Sequence, residues 1–332
     1  PELMQDGMDY MRIVGAFAFF QALSLTLSAS LRSANKAIYP MMVTVVVNIL
    51  NIIGNYSLIF GRFGFPELGV EGAAISTAFS RGVSMVILFV ILFRKHIHRF
   101  PLAYFRPFPF QKLRDVLKIG LPSAAEQISY DASQVTIVYF INMLGNEYLT
   151  ARVYVMNIVI IGYIFSLSIA QATSICTGNL VGARKKQAAY LLSWYAWRRS
   201  LLITLVASTG VYLLGRPLLG IFTENQAIIT IAMGALLVDF LLEQGRATVL
   251  LFLFCLRSVG DVVVPVIIEL FCMWFFAVFC GYMFGIVFGL GLAGMWFAFA
   301  LDECSRGAVL CLRWRTQKWK KRMLIKNPVN IS

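Results

Sequence analysis

The sequence is poor in charged residues and in the residue patterns that build soluble catalytic or metal sites. Asp, Glu, Lys and Arg make up only 14% of its 332 residues, against about 25% in an average soluble domain. It has two histidines and six cysteines, without a Cys-x-x-Cys pair, which argues against a metal site or a disulfide framework. It also has no phosphate-cradling glycine loop and no nucleophile–base set, which argues against an ATP-driven pump and against an enzyme.

Long apolar runs dominate the sequence instead. Hydrophobic residues make up 59% of the chain, and the mean hydropathy is +0.76. A run of about 18 apolar residues is long enough to cross a bilayer as a helix. We identify nine such segments, at residues 13–31, 41–60, 70–93, 116–144, 153–176, 201–221, 227–256, 262–283 and 290–312. The sequence therefore predicts an all-α, polytopic membrane protein.

Positive residues alternate between the predicted loops. Of the 29 Lys and Arg residues, 22 fall on one side of the predicted membrane, four on the other, and Arg81, Arg246 and Arg306 within spans. Because cytoplasmic loops are enriched in Lys and Arg, we predict a multi-pass protein of the plasma membrane with a cytoplasmic C-terminus. The net charge of +13 then reflects topology, and we expect no nucleic-acid partner. Arg257 and Asp261 flank a loop and are predicted to be topology and turn residues.

Two parts of the sequence resemble each other. Residues 31–40 match 256–265, residues 68–72 match 290–294, and Ser-Arg-Gly at 80–82 recurs at 305–307. Three matches in the same order indicate an internal duplication of parallel orientation. Spans one to three thus correspond to spans seven to nine, while spans four to six have no counterpart. A complete parallel duplication predicts about 110 further residues with three helices before residue 1; a protein of nine helices is the alternative.

Several short motifs together resemble the multidrug and toxic compound extrusion (MATE) transporters. In the first part these are Leu-Arg-Ser at 31–33, Asn-Ile-Leu-Asn at 48–51 and Phe-Pro-Glu-Leu-Gly-Val-Glu-Gly at 65–72. In the second part they are Ile-Gly-Leu-Pro-Ser at 119–123, Asn-Leu-Val-Gly-Ala at 179–183, Leu-Arg-Ser-Val-Gly-Asp at 256–261 and Gly-Leu-Ala-Gly-Met-Trp at 291–296. The resemblance runs from about residue 10 to residue 319.

The resemblance implies twelve helices in two six-helix bundles related by a parallel pseudo-twofold repeat. Residues 1–94 would then be the second half of the N-terminal lobe, 95–114 a cytoplasmic interlobe linker, 115–313 the C-terminal lobe and 314–332 a basic cytoplasmic tail. It also implies a secondary antiporter in the lipid membrane, monomeric when complete and without a cofactor. Such an antiporter exports small organic, often cationic, compounds in exchange for H⁺ or Na⁺ by alternating access. A lipid-linked oligosaccharide flippase of the same superfamily, or an inactive fragment, are the alternatives.

Ionisable side chains at bilayer depth are costly, so each one is a functional candidate. The candidates for binding the coupling ion are Glu126, Asp131, Asp239, Glu243 and Arg246. Glu243 and Arg246 are three residues apart and can pair, so a coupling role and a structural role both stay open for them. The predicted structural ion-pair residues are Asp302, Glu303 and Arg306, and span eight adds Glu269.

The chain departs from the family pattern at two of these positions. Many members have a carboxylate where this chain has Tyr130, and an aspartate where it has Arg246. The identity of the coupling ion therefore cannot be inferred from the family, and both H⁺ and Na⁺ remain possible.

Polar residues on apolar helices are the candidates for contacting substrate. They are Asn48, Asn51, Asn55, Gln127, Tyr130 and Asn157. The three asparagines form one stripe, and because amides in hydrocarbon seek partners, interhelical packing is the alternative for them. Aromatic residues could line a cavity for flat cations by stacking and cation–π contacts.

Overall fold

A computed structural model describes residues 2–95, 108 and 110–321 of the chain. Within these residues the secondary structure is helical, without a strand. Contacts between Cα atoms divide the chain into two units, Pro1–Pro109 and Phe110–Ser332. Most of the predicted linker, and the tail after residue 321, lie outside the described residues, so the predicted lobe boundaries stay predictions.

The first unit consists of four helices, α1 (Glu2–Ala16), α2 (Ala18–Ser33), α3 (Ile38–Ile59) and α4 (Gly69–Lys95). α4 packs against each of the other three. A small buried cluster of Leu31, Val43 and Leu88 joins α2, α3 and α4. The predicted span over residues 13–31 lies on two helices, because the chain bends by 50° between α1 and α2 at Phe17.

The second unit is also helical and has more elements. It contains α5 (Phe110–Leu144), α6 (Asn146–Gly182), α7 (Lys186–Leu213), α8 (Gly215–Gly220), α9 (Gln226–Ser258), α10 (Val263–Cys272) and α11 (Gly291–Arg315). Two π-helical segments, Met273–Cys280 and Met283–Val287, continue α10, and a 3₁₀ turn at Lys318–Lys321 follows α11. α9 lies at the centre and packs against α6, α7, α8 and α11.

Each of the nine apolar segments lies on helical structure in the described part of the chain. By length and composition, five of the described helical stretches can cross a membrane, or six if the bent pair α1–α2 is one span. The five are Ile38–Ile59, Gly69–Arg94, Asn146–Gly182, Gln226–Ser258 and Val263–Val287. α5, α7 and α11 have 35, 28 and 25 residues, which is long enough, but charged residues interrupt their apolar runs. The count of nine spans stays a prediction.

The first sequence match of the internal repeat is also a match of backbone conformation. Asn35 after α2 and Gly260 after α9 both have positive φ, 58° and 87°. In each turn the following amide donates to the carbonyl five residues earlier, at 2.9 Å. This is the hydrogen bond of a Schellman-type helix end. The two turns therefore end their helices in the same way.

The second match preserves a close approach of two backbones. A Cβ atom added to Gly72 would lie 2.6 Å from the carbonyl oxygen of Leu58, and one added to Gly294 would lie 2.7 Å from that of Phe284. Real Cβ atoms do not come this close to backbone atoms, so both positions need glycine. The duplication therefore keeps the helix contact as well as the turn.

The third match is not structurally equivalent, and that part of the repeat prediction was wrong. Arg81 lies 12 residues after Gly69, where α4 begins, whereas Arg306 lies 15 residues after Gly291, where α11 begins. Both helices are unbroken, and three residues are nearly one helical turn, or about 4.5 Å. Arg306 therefore lies one turn further along its helix than Arg81.

Candidate substrate and ion-binding cavity

The second unit contains a partly open cavity of about 660 Å³. Its wall comes from α5, α6, α9, α11 and the junction of α10 with the first π-helical segment. The charged residues of the wall are Glu126, Arg246, Arg257, Glu269, Glu303 and Arg306, and its uncharged polar residues are Gln127, Tyr130, Asn157 and Tyr163. Most of the remaining wall is aliphatic, with Phe254 and two methionines.

Helical periodicity explains why these residues meet. On α9, Arg246, Leu250, Leu253 and Arg257 follow one another in steps of three and four residues, which places them on one face. The same rule brings Glu126 and Tyr130 of α5 to the cavity. Leu250 and Leu253 lie between the two arginines on this face of α9, so the wall has apolar side chains between its charged ones.

Arg257 connects three helices at one end of the cavity. Its Nη2 atom donates to Glu126 Oε1 of α5 at 2.6 Å and to Glu269 Oε2 of α10 at 3.2 Å. The prediction that Arg257 is only a topology residue was therefore wrong. Arg257 lies on the last turn of α9, where the helix still faces the cavity. The count of Lys and Arg residues in the predicted loops had assigned it to the loop after span seven.

Arg306 of α11 is the centre of the network. Its Nη2 atom contacts Asp302 Oδ2 at 2.7 Å and Glu303 Oε1 at 3.1 Å, and its Nη1 atom lies 3.9 Å from Glu269 Oε1. The carboxylate of Glu269 therefore lies between the guanidiniums of Arg306 and Arg257. The predicted ion pairs of Asp302 and Glu303 with Arg306 are present, and two of the three residues also line the cavity.

Arg246 of α9 extends the network to a third guanidinium. It forms an ion pair with Glu243, three residues earlier, and its Nε atom lies 3.8 Å from Glu303 Oε1. Its guanidinium also lies over the ring of Tyr163, 5.9 Å from the centroid, which is within the range of a cation–π contact. The predicted pairing of Glu243 with Arg246 is therefore present.

The network holds more carboxylates than guanidiniums among the residues that the structure describes. Five carboxylates, those of Glu126, Glu243, Glu269, Asp302 and Glu303, face three guanidiniums. Within the described part of the chain, Glu243 Oε2, Asp302 Oδ1 and Glu303 Oε2 are buried without a hydrogen-bond partner. Burying an unpaired carboxylate oxygen is costly. A proton or a small cation can supply the missing contact.

Asp239 is a further buried carboxylate close to the network. It lies four residues before Glu243 on α9, is 3% exposed, and accepts a hydrogen bond from Trp296 Nε1 at 3.3 Å. It does not line the cavity. The structure therefore places Asp239 and Glu243 behind the wall, whereas the candidates Glu126 and Arg246 are part of it.

Asp131 lies outside the cavity. It is exposed on α5 and accepts a hydrogen bond from Gln127 Nε2 at 3.1 Å. Gln127, Tyr130 and Asn157, predicted as substrate contacts, do line the cavity. Of the six substrate candidates, the structure thus brings these three together.

The asparagine stripe belongs to the first unit and not to this cavity. Asn51 Nδ2 donates to Ser76 Oγ of α4 at 3.4 Å, and Asn55 Nδ2 donates to Asn51 Oδ1 at 3.3 Å. Asn48 is exposed on α3. The Asn51 contact joins α3 to α4 and agrees with the interhelical packing alternative, whereas the Asn55 contact lies within α3.

Sequence reasoning missed several parts of the wall. Tyr163 and Phe254 carried no signal beyond being aromatic in apolar helices. Glu269 was recognised as ionisable but without a role. Its position four residues after Pro265 does not indicate that α5 and α11 lie beside it. Within the described ranges, no group of three His, Cys, Asp or Glu residues suits a metal ion.

Ionisable side chains around a cavity between membrane-length helices are typical of the substrate and ion pathways of transporters. The MatE family model matches residues 1–57 and 122–283. The chain therefore belongs to the MATE family of multidrug efflux transporters. Its relatives are transporters, and the chain is a multi-pass membrane protein of this family.

Individual relatives agree with this assignment. The chain is 37% identical over 317 residues to the "Uncharacterized transporter YisQ" of Bacillus subtilis strain 168, covering 96% of this chain and 70% of that relative. It is 26% identical over 324 residues to the "Probable multidrug resistance protein NorM" of Thermotoga maritima, covering 98% and 70%. The solved "Crystal structure of MATE in the bent conformation" superposes with a TM-score of 0.82 at 24% identity, covering 95% and 70%, which supports the fold.

Proposed function

We propose that the chain acts in a secondary antiporter that exports small organic, often cationic, compounds in exchange for H⁺ or Na⁺. The observation that supports this proposal is the excess of five carboxylates over three guanidiniums in the cavity network. Uncompensated charge inside a membrane is costly, so the network favours uptake of positive charge. A proton, a sodium ion and a cationic substrate can each supply it.

Competition for the same carboxylates would couple the two fluxes. A proton or Na⁺ on Glu243 or Glu126 reduces the negative charge that attracts a cationic substrate, and the bound substrate reduces affinity for the ion by the same factor. If the ion and the substrate bind the outward-facing and inward-facing states with different affinities, each biases the equilibrium between them. This exchange is antiport by alternating access.

The wall would hold the body of the substrate while the network recognises its charge. Tyr163 and Phe254 provide aromatic faces for flat or cationic groups, and methionines adapt to different shapes. The volume of about 660 Å³ lies within the range of pockets for drug-sized ligands. We propose that the protein works in the plasma membrane with a cytoplasmic C-terminus, as a monomer when complete. It would need membrane lipid but neither a cofactor nor a nucleic acid.

The arginines of the wall favour a second candidate, a flippase for lipid-linked oligosaccharides, because such substrates carry anionic phosphates. Against it, Arg246, Arg257 and Arg306 share one network with five carboxylates, which opposes a lipid phosphate that carries several negative charges. The network as a whole has an excess of negative charge, which favours the export of cations.

Ethidium export from cells without their own ethidium efflux tests the proposal. Cells expressing the protein should accumulate less ethidium, and collapse of the H⁺ or Na⁺ gradient should abolish the difference. Glu243→Gln and Glu126→Gln should each slow export by about tenfold or more, the equivalent of about 1.4 kcal/mol. The control Glu224→Gln makes the same change at an exposed carboxylate between α8 and α9 and should leave export unchanged. Gradient-independent export, or export unaffected by both Glu243→Gln and Glu126→Gln, would contradict the proposal.

A further inference from the structure

We infer that the cavity also contains a subsite for an acidic group. In it, the guanidiniums of Arg257 and Arg306 bind the carboxylate or sulfonate of an aromatic acid or zwitterion, in the place that the carboxylate of Glu269 now occupies. This inference deepens the proposed export function and rests on it. It extends the substrates from organic cations to compounds that carry a negative group.

Glu269 shows what such a ligand group would contact. Its Oε2 atom lies 3.2 Å from Arg257 Nη2, and its Oε1 atom lies 3.9 Å from Arg306 Nη1. The two guanidiniums come from different helices, α9 and α11, and meet at this one carboxylate. The arrangement is a pair of cationic groups converging on an anion, and the anion is a side chain that a ligand can displace.

The two arginines do not use their full hydrogen-bonding capacity on the protein. A guanidinium has five N–H donors that match a carboxylate with two parallel bonds. The contacts of Arg257 with Glu126 and Glu269 all come from Nη2. Among the described residues, the Nε atoms of Arg257 and Arg306 are buried without an acceptor.

A structural ion pair of the same chain shows the contrast. Arg313 donates through Nε and Nη2 to the two oxygens of Asp261, at 2.7 and 2.8 Å. That pair uses the Nε–Nη2 edge of the guanidinium for two parallel bonds to one carboxylate. Arg257, by comparison, makes its contacts through Nη2 alone, so its guanidinium has further N–H groups that can donate to a ligand carboxylate.

Exposure indicates which charge the wall presents to a ligand. The side chain of Arg257 is 29% exposed, whereas those of its partners Glu126 and Glu269 are 19% and 7% exposed. Arg257 is the most exposed charged side chain of the network, and it lines the cavity. A ligand entering this end therefore meets the guanidinium more readily than its carboxylates.

The surroundings of the subsite suit an aromatic body. Leu253 and Phe254 precede Arg257 on α9, and Met273 lies one turn after Glu269; all three line the cavity. An aromatic ring bound to the acidic group would rest on these side chains. The ligand class is therefore an aromatic organic acid, or a zwitterion whose amine reaches the remaining carboxylates.

Probes matched in shape and different in charge test the subsite. The chain is purified into lipid nanodiscs, and equilibrium dialysis measures the binding of 2-naphthoate, of neutral 2-naphthylmethanol and of the cation tetraphenylphosphonium. Arg257→Gln should weaken 2-naphthoate binding about 10- to 100-fold, the range of hydrogen bonds to charged groups. It should leave 2-naphthylmethanol unchanged and should not weaken tetraphenylphosphonium, because it removes a positive charge.

A second variant guards against a merely structural effect. Glu269→Gln removes the negative charge that competes for the two guanidiniums, so it should tighten 2-naphthoate binding several-fold. Arg216→Gln, an exposed arginine of α8, is the control and should change none of the three affinities. Wild-type binding of 2-naphthoate no tighter than that of 2-naphthylmethanol would overturn the inference. So would Arg257→Gln weakening all three probes equally, or Glu269→Gln weakening 2-naphthoate.

The proposed export of cations fails separately. If 2-naphthoate binds as expected and tetraphenylphosphonium does not bind, the acidic subsite is supported and the cation-export proposal is contradicted. If tetraphenylphosphonium binds and 2-naphthoate does not bind, the subsite is overturned and the export proposal stands.

Discussion

Removal of the central arginine should destabilise the second unit strongly. Arg306 contacts Asp302 at 2.7 Å, Glu303 at 3.1 Å and Glu269 at 3.9 Å, and its side chain is only 12% exposed. At an effective dielectric constant of about 20, the attraction is about 6 kcal/mol at the shortest of these distances and about 4 kcal/mol at the longest. The cost of burying the charges offsets much of this attraction. Removing one partner of a buried pair typically costs about 3–5 kcal/mol, which we expect for Arg306→Gln.

The free energy of unfolding, measured by denaturation with sodium dodecyl sulfate in mixed micelles, checks this prediction. The double variant Arg306→Gln with Asp302→Asn should recover about 2 kcal/mol, because it also removes the closest orphaned carboxylate. The defect of the single variant should be smaller at acidic pH, where protonation neutralises the carboxylates left behind. The surface control Arg216→Gln should stay within about 0.5 kcal/mol of the parent. A loss below about 1 kcal/mol for Arg306→Gln, without recovery in the double variant, would refute the reasoning.

Two further predictions concern the frame around the cavity. Gly294→Ala should cost about 1–3 kcal/mol in the same denaturation assay, because its Cβ would lie 2.7 Å from the carbonyl oxygen of Phe284. Gly210→Ala, with nothing within 4 Å of the added atom, is its control, and equal losses for both would contradict the close contact. Asp261→Asn should cost about 3 kcal/mol, because it leaves the guanidinium of Arg313 without its bidentate carboxylate. Replacing Arg313 with Gln in addition should then cost little more, and additive losses would show that the pair is not coupled.

The helical fold could be predicted because its signal is local. Apolar runs of membrane length mark each span wherever charges are few, and the turns of the repeat have a local signature in the Leu-Arg-Ser motif. The bend at Phe17 was not predicted, because no proline lies beside it and Gly15, two residues earlier, lies within the apolar run. The sequence repeat correctly predicted that the turns after α2 and α9 are equivalent. It wrongly predicted that Arg81 and Arg306 are equivalent, because a match of three residues does not indicate on which helical turn they lie.

The candidate site was predictable only in part. Glu126, Tyr130 and Gln127 follow from their spacing on α5, and the pairing of Glu243 with Arg246 follows from their separation of three residues. The contact between Glu126 and Arg257 joins residues 131 positions apart, and no pattern within one helix indicates it. The positive-inside rule even argued against it, because it assigns an arginine at a helix end to the loop.

The π-helical continuation of α10 affects how relatives of this chain can be compared. This continuation contains two π-helical segments, Met273–Cys280 and Met283–Val287. The hydrogen-bonded rings of a π-helix are one residue larger than those of an α-helix. A family member that is α-helical there fits fewer residues into the same turns, so an alignment without gaps in this helix pairs side chains that point in different directions. Met273 is the first residue of this π-helical stretch and lines the cavity, so the extra residues of the stretch follow it in the chain. Insertions or deletions of single residues can therefore rotate the far end of this helix during evolution and leave the cavity end unchanged.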